Sequence, residues 1–176
     1  MFIGFLISEK DKGFILRLQS EIGALEANCK NVERENLHIS MSFLGETSAE
    51  DAEKIKHDIA AIAKKFRKMK VKIGGVEAIP SKSFVRVIAL KVDDLSGELQ
   101  RMVNEIGNLI GGDVKSPHLT LCRVKPTKEK GKIVGFIEKY QDEIFTSIEI
   151  DSIQLIESRL GESGPVYSIV SESKLD

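Results

Sequence analysis

The chain has 176 residues, 41% of them hydrophobic and 30% charged, which suits one well-buried soluble domain, or two small lobes sharing an interface, and excludes a disordered chain. A formal net charge of −1 advertises no general affinity for nucleic acid, so any anion site has to be local. Cys29 and Cys122 stand far apart in the sequence with no C-x-x-C, which argues against a disulfide framework or a cysteine zinc site and fits a reducing, cytoplasmic setting.

The N-terminal "MFIGFLIS" is apolar but short, with no basic leader and no small-residue cleavage site. Residues 2–8 therefore read as a first strand and not a signal peptide. No apolar run approaches the ~20 residues that a membrane span needs, so no membrane partner is expected. From Asp11 the period changes. Phe14, Leu18, Ile22 and Leu25 recur at three- and four-residue intervals and predict one face of a helix. Cys29 to Val32 is an ambiguous link, followed by a strand in "LHISMSFL". In "TSAE", Thr47 and Glu50 form a candidate capping box. The helix it opens carries Ile55, Ile59, Ile62 and Phe66 on one stripe. "VKIGGVEAIP" and "SFVRVIALKV" predict two strands separated by a turn at Pro80-Ser81.

The second half restates the first. A helix marked by Leu95, Leu99, Met102, Val103, Ile106 and Ile110 stops at Gly111-Gly112 and leads into the strand "HLTLCRV". A shorter amphipathic helix around Ile133 to Tyr140 comes next, then strand candidates "IFTSIEIDSIQLIES" and "GPVYSIV". Adjacent strands look like hairpins, so an α+β mixture fits better than a doubly wound parallel sheet. The duplicated unit is a helix followed by a histidine-bearing strand.

Those two strands carry the chemistry. Of three histidines, His38 lies in "ENLHISMSFLGE" and His118 in "SPHLTLCRVK", both in an H-x-[S/T]-x frame. Successive side chains of a strand point to opposite faces. Alternation therefore puts His38, Ser40 and Ser42 on one face and Leu37, Ile39, Met41 and Phe43 on the core side. It likewise groups His118, Thr120 and Cys122 against Leu119 and Leu121. A lone strand histidine is more often structural than catalytic. Two in one frame, each after a helix and each backed by apolar residues, reverse that balance. Side by side, they would offer two imidazoles and two hydroxyls with no carboxylate or metal-ligand cluster in either motif. Imidazole exchanges protons near neutral pH, so the pair suits base and acid roles in an in-line displacement at phosphorus, with the hydroxyls donating to non-bridging oxygens. Arg123 supplies a planar cation nearby. Strict alternation turns it to the opposite face, so it joins the site only if the strand twists, bulges or ends near Cys122.

Other residues carry weaker signals. His57 falls between apolar helix positions and reads as exposed. Six basic residues between Lys64 and Lys72 read as a solvated helix end, with an RNA-tracking stripe as the other reading. Arg86 in "FVRVIAL" either enters the groove towards substrate or points outward. Cys122 reads as a buried filler and not a nucleophile. Phe43 could stack on a base, but alternation sends it to the core. Neither Gly-Gly pair has Walker or dinucleotide surroundings, so no cofactor is expected.

"VERENLHISMSFLGE", "SFVRVI", "SPHLTLCRVK" and "ESRLGESGPVYSIV" together resemble the 2H phosphoesterase superfamily, and within it the RNA 2′,3′-cyclic phosphodiesterases, also called 2′–5′ RNA ligases. The likeness spans nearly the whole chain. It implies a single bilobal domain over residues 1–176, with two pseudo-symmetric lobes whose antiparallel sheets enclose a central groove and helices on the outside. It implies metal-independent opening of a 2′,3′-cyclic phosphate to a 2′-phosphate, with reversible 2′–5′ joining as the same displacement by an RNA hydroxyl. On the matching positions His38 and His118 are the acid–base pair, His38 protonating the departing 3′ oxygen and His118 activating water. Ser40, Thr120 and Arg123 bind the phosphate. Ser40 stands where the family commonly has Thr, which keeps the hydroxyl. The expected partners are RNA 3′ ends or small cyclic-phosphate nucleotides, met by a monomer. Two rivals stand beside this reading, a catalytically silent RNA-binding module and a metal hydrolase with His38 and His118 as ligands.

Overall fold

The computed structural model describes residues 1–162 and 164–176. Of the C-terminal stretch quoted above, Ser163 alone lies outside them. The strands are β1 (Phe2–Leu6), β2 (Cys29–Asn31), β3 (His38–Phe43), β4 (Met69–Ser81), β5 (Phe84–Asp93), β6 (Asp113–Val124), β7 (Ile144–Ile150), β8 (Ser152–Leu160) and β9 (Pro165–Lys174). The helices are α1 (Gly13–Ala24), α2 (Ala49–Ala63), α3 (Glu98–Leu109) and α4 (Lys130–Tyr140). The ambiguous link is thus a short strand. The turn between β4 and β5 falls at Lys82-Ser83, two residues later than expected, and the long 144–158 candidate breaks at Asp151 into β7 and β8.

Every paired strand is antiparallel, and the sheet runs β7-β4-β5-β6-β3-β1-β8-β9, with β2 added alongside the end of β6. The α+β class and the antiparallel strands are as expected, with β7-β4-β5-β6 making one half of the sheet and β3-β1-β8-β9 the other. The two sheets meet along β3 and β6, so they form one curled surface. Helix α2 lies against β8 and β9, α3 against β6 and β3, α1 against β6 and α4 against β4. Both motif strands are therefore central, each bearing one half of the sheet on its far side.

Each helix buries a stripe at the helical period; in α3 it is the predicted Leu99, Met102, Val103 and Ile106, and in α1 it is rotated slightly from the predicted one. In α1, Ile15, Leu18 and Ile22 are buried, and Phe14 and Leu25 pack only partly against the core. In α2 the cap is Ser48 and not Thr47. The Ser48 hydroxyl oxygen accepts from the Asp51 amide at 3.0 Å and its proton goes to the Asp51 carboxylate at 2.7 Å, a reciprocal arrangement one residue later than the expected box. In α3, Leu95 lies before the helix and is 85% exposed. Gly111 and Gly112 end it with φ of 89° and 92°, a conformation that residues with a Cβ rarely adopt.

Candidate active site

The groove forms where β3 and β6 run side by side, with Ser40 opposite His118 and Ile39 opposite Leu119. A cavity of about 490 Å³ there is lined by His38, Ser40, His118, Thr120 and Arg123, together with Tyr167 and Phe43. Beneath it Leu37, Ile39, Leu119 and Leu121 are buried, as the alternation requires. All five residues named as catalytic or phosphate-binding are therefore gathered in one place.

The two imidazoles are held in the same way. His38 Nδ1 lies 2.7 Å from the carbonyl oxygen of Asn36, and His118 Nδ1 lies 3.0 Å from that of Ser116. A carbonyl only accepts, so in each ring Nδ1 carries the hydrogen and donates it. That fixes the tautomer and leaves Nε2 as the proton-exchanging atom. At His38 the Ser40 hydroxyl donates to this nitrogen at 3.0 Å.

Their surroundings differ. His38 packs against Phe2 and Tyr167, ring centroids 4.8 and 5.4 Å away. Burial there, reinforced by the positive charge of His118 and Arg123, pushes its pKa down from 6.5 to about 4, against a smaller upward pull from the Asn36 carbonyl. His38 is thus neutral in the resting groove at neutral pH. Burial also raises the Tyr167 hydroxyl, with Arg123 working in the opposite direction.

Arg123 reaches the groove through an irregularity in β6. On β5 one step separates Ile88 from Ala89, whereas their partners Cys122 and Thr120 are two steps apart. Leu121 is the extra residue of a β-bulge, which reverses the alternation after it. Cys122 turns into the core, fully buried, away from the His118 face on which alternation placed it. Its thiol is pushed up by burial and by Cys29 beside it, which suits the filler reading. Arg123 turns out onto the groove.

The first motif does the same. Ile3 and Gly4 of β1 pair with Ser42 and Ser40, so Met41 is the extra residue. Ser42 is buried and donates to the Gly111 carbonyl at 2.8 Å. The core position expected for Phe43 is overturned, since its ring is 60% exposed at the rim of the groove. Arg123 and Phe43 hold equivalent places, five residues after their histidines.

Arg86 does not line this groove. Val87, Ala89 and Lys91 pair with Arg123, Thr120 and His118, and Arg86 takes the opposite face of β5, its guanidinium 4.8 Å from the Phe84 ring centroid. His57 is exposed on α2. Of the basic run, Lys65, Arg67, Lys68, Lys70 and Lys72 line a separate pocket that, among the described residues, shares none with the groove. Tyr167 went unsignalled in the alternation argument, because only the β8–β9 hairpin, paired beside β1, brings it to His38. Among the described residues no three His, Cys, Asp or Glu side chains converge to hold a metal ion, and no helix is long and apolar enough to cross a membrane.

Over residues 7–89 the sequence matches the family described as LigT like Phosphoesterase. A Methanocaldococcus jannaschii protein named RNA 2′,3′-cyclic phosphodiesterase is 33% identical, over 98% of this chain and 98% of its own. One of the same name from Aeropyrum pernix is 31% identical, over 92% and 95%. The crystal structure of TT0787 of Thermus thermophilus shares the fold with a TM-score of 0.82 at 18% identity, covering 99% of this chain and 96% of that one.

Proposed function

The chain belongs to the LigT-like 2H phosphoesterase family, and we propose that it hydrolyses the 2′,3′-cyclic phosphate at an RNA 3′ end to a 2′-phosphate. The observation that carries this reading is the pair of imidazoles offering Nε2 to one cavity that also holds two hydroxyls and a guanidinium. Water attacks phosphorus in line with the departing 3′ oxygen. His118, the more open of the two rings, takes the water proton at Nε2. The P–O3′ bond breaks, and His38 Nε2 delivers a proton to the 3′ oxygen. Ser40, Thr120 and Arg123 hold the non-bridging oxygens, the guanidinium as a planar fork.

The resting neutrality of His38 sets a condition on this scheme. It gains its proton as the phosphate enters, because the negative charge in contact with the ring favours the imidazolium and opposes the downward push of burial. Once Nε2 is protonated, Ser40 can no longer donate to it, and its hydroxyl turns to the phosphate. No step calls for a metal. With an RNA hydroxyl in place of water the same displacement forms a 2′–5′ linkage.

The test is an RNA ending in a 2′,3′-cyclic phosphate, incubated with excess EDTA and wild type, His38→Ala or His118→Ala. Wild type should yield a 2′-phosphate end, and each variant should lose roughly 10²- to 10⁴-fold in rate, the usual contribution of one positioned proton-transfer group. Binding without turnover by wild type would support the silent RNA-binding module. Turnover abolished by EDTA and restored by zinc or manganese would support the metal hydrolase.

A further inference from the structure

A second cavity, of about 700 Å³, adjoins the groove and has no part in the chemistry above. It lies at the end of the β5–β6 pair, where Val87 and Arg123, paired with each other, line both cavities. Lys82, Arg86, Lys125 and Lys130 add four more cations to its wall, and among the described residues no carboxylate lines it. Lys82 reaches Glu138 at 3.5 Å. Among the described residues Arg86, Arg123, Lys125 and Lys130 make no ion pair.

Unneutralised cations around one concavity repel one another and favour an anionic occupant. The floor is apolar, with Val85, Val87 and Ile133. At the mouth Phe84 is 53% exposed with the Arg86 guanidinium stacked on it. An exposed aromatic ring and a planar guanidinium, set among cations, are what an unpaired base and its phosphate require. A volume of this size accommodates a nucleotide. A small inorganic anion would leave the apolar floor and the Phe84–Arg86 platform unused.

We propose that this cavity is a second nucleotide subsite, taking the residue on the 5′ side of the cyclic-phosphate terminus. Its base stacks on the Phe84–Arg86 platform, and its phosphate lies among Lys125, Lys130 and Arg123. The strand then passes from the groove round the end of β5 and β6, with Arg123 serving both positions. The inference rests on the phosphodiesterase reading and narrows it to single-stranded RNA in preference to a mononucleotide.

The experiment compares kcat/KM on a nucleoside 2′,3′-cyclic phosphate and on a trinucleotide ending in the same group. Wild type and the Phe84→Ala/Arg86→Gln double variant are tested on both, at low and high salt. Wild type should favour the trinucleotide by about tenfold or more, as base–aromatic stacking and phosphate contacts usually give, and salt should narrow the margin. The double variant should lose the margin while turning over the mononucleotide as wild type does. Both substitutions are at exposed positions, so loss of folding is not a confounding outcome. Equal kcat/KM on the two substrates in wild type, or a margin that the variant keeps, would overturn the subsite alone. Wild type inert on both substrates would instead remove the activity on which the subsite rests, and the subsite with it.

Discussion

At the scale of single residues, His38 joins the chemistry of the groove to the stability of the fold. Its imidazole is neutral when folded down to about pH 4, but in the unfolded chain it protonates near 6.5. The unfolded state therefore binds one more proton across the window from 6.5 to 4, and stability falls as pH is lowered through it. At about 1.4 kcal/mol per pH unit, the loss approaches roughly 3 kcal/mol by pH 4. Acidic groups contribute their own acid sensitivity, so the informative quantity is a difference. Urea unfolding of wild type and His38→Gln, from pH 8 to pH 4, should give a constant offset above pH 7. Below 6.5 the offset should shift steadily against wild type. Parallel profiles would mean that the ring is not held neutral. The histidines and their hydroxyls were legible in the sequence because alternation has to hold for only three residues after each histidine, and it does.

At the scale of elements, legibility stopped at the bulges. Alternation assigned Phe43 to the core and set Arg123 opposite His118, and each motif strand breaks its period two residues before those positions. A bulge is a property of a strand pair, fixed by which residue of β1 or β5 lies opposite. The sequence of one strand does not contain it. A helix cap is more local, and the stop of α3 at Gly111-Gly112 was legible, whereas the cap of α2 lies one position later than expected. Thr47 turns its hydroxyl back to the Gly45 carbonyl at 3.3 Å, whereas Ser48 holds the Asp51 amide. Ser48→Ala should therefore cost about 1 kcal/mol of stability, and Thr47→Ala only a few tenths. Urea midpoints at unchanged m-value measure both. Equal losses would mean that the two hydroxyls share the cap.

At the scale of the whole molecule, the seam between β3 and β6 decides whether the two halves behave as one body. Their helices share a single buried cluster that runs from Ile3 and Leu155 in one half to Ile73 and Ile150 in the other, and no linker separates them. The hairpin neighbours β4–β5 and β8–β9 were legible in the sequence, but the order across the sheet was not, since β1 sits between β3 and β8 only after the C-terminal hairpin returns. Continuity of sheet and core predicts one cooperative unfolding transition. The chain provides its own reporters, with no tryptophan and two tyrosines. Tyr167 lies on β9, beside His38, and Tyr140 lies on α4 against Phe136 and Phe145 in the opposite half. Tyr167→Phe leaves Tyr140 as the only fluorescent tyrosine. A lesion is then placed in the far half. An alanine Cβ at Gly4 would lie 2.6 Å from the Ile39 carbonyl oxygen, so Gly4→Ala has to push β1 and β3 apart, at a cost of about 1–3 kcal/mol. In the Tyr167→Phe background the Tyr140 transition should shift by the full amount and coincide with the loss of far-ultraviolet circular dichroism. Tyr140 fluorescence that kept its midpoint while dichroism fell in two steps would show that the halves fold separately. The groove between them would then be an interface whose two imidazoles are held at a fixed distance only when both halves are folded.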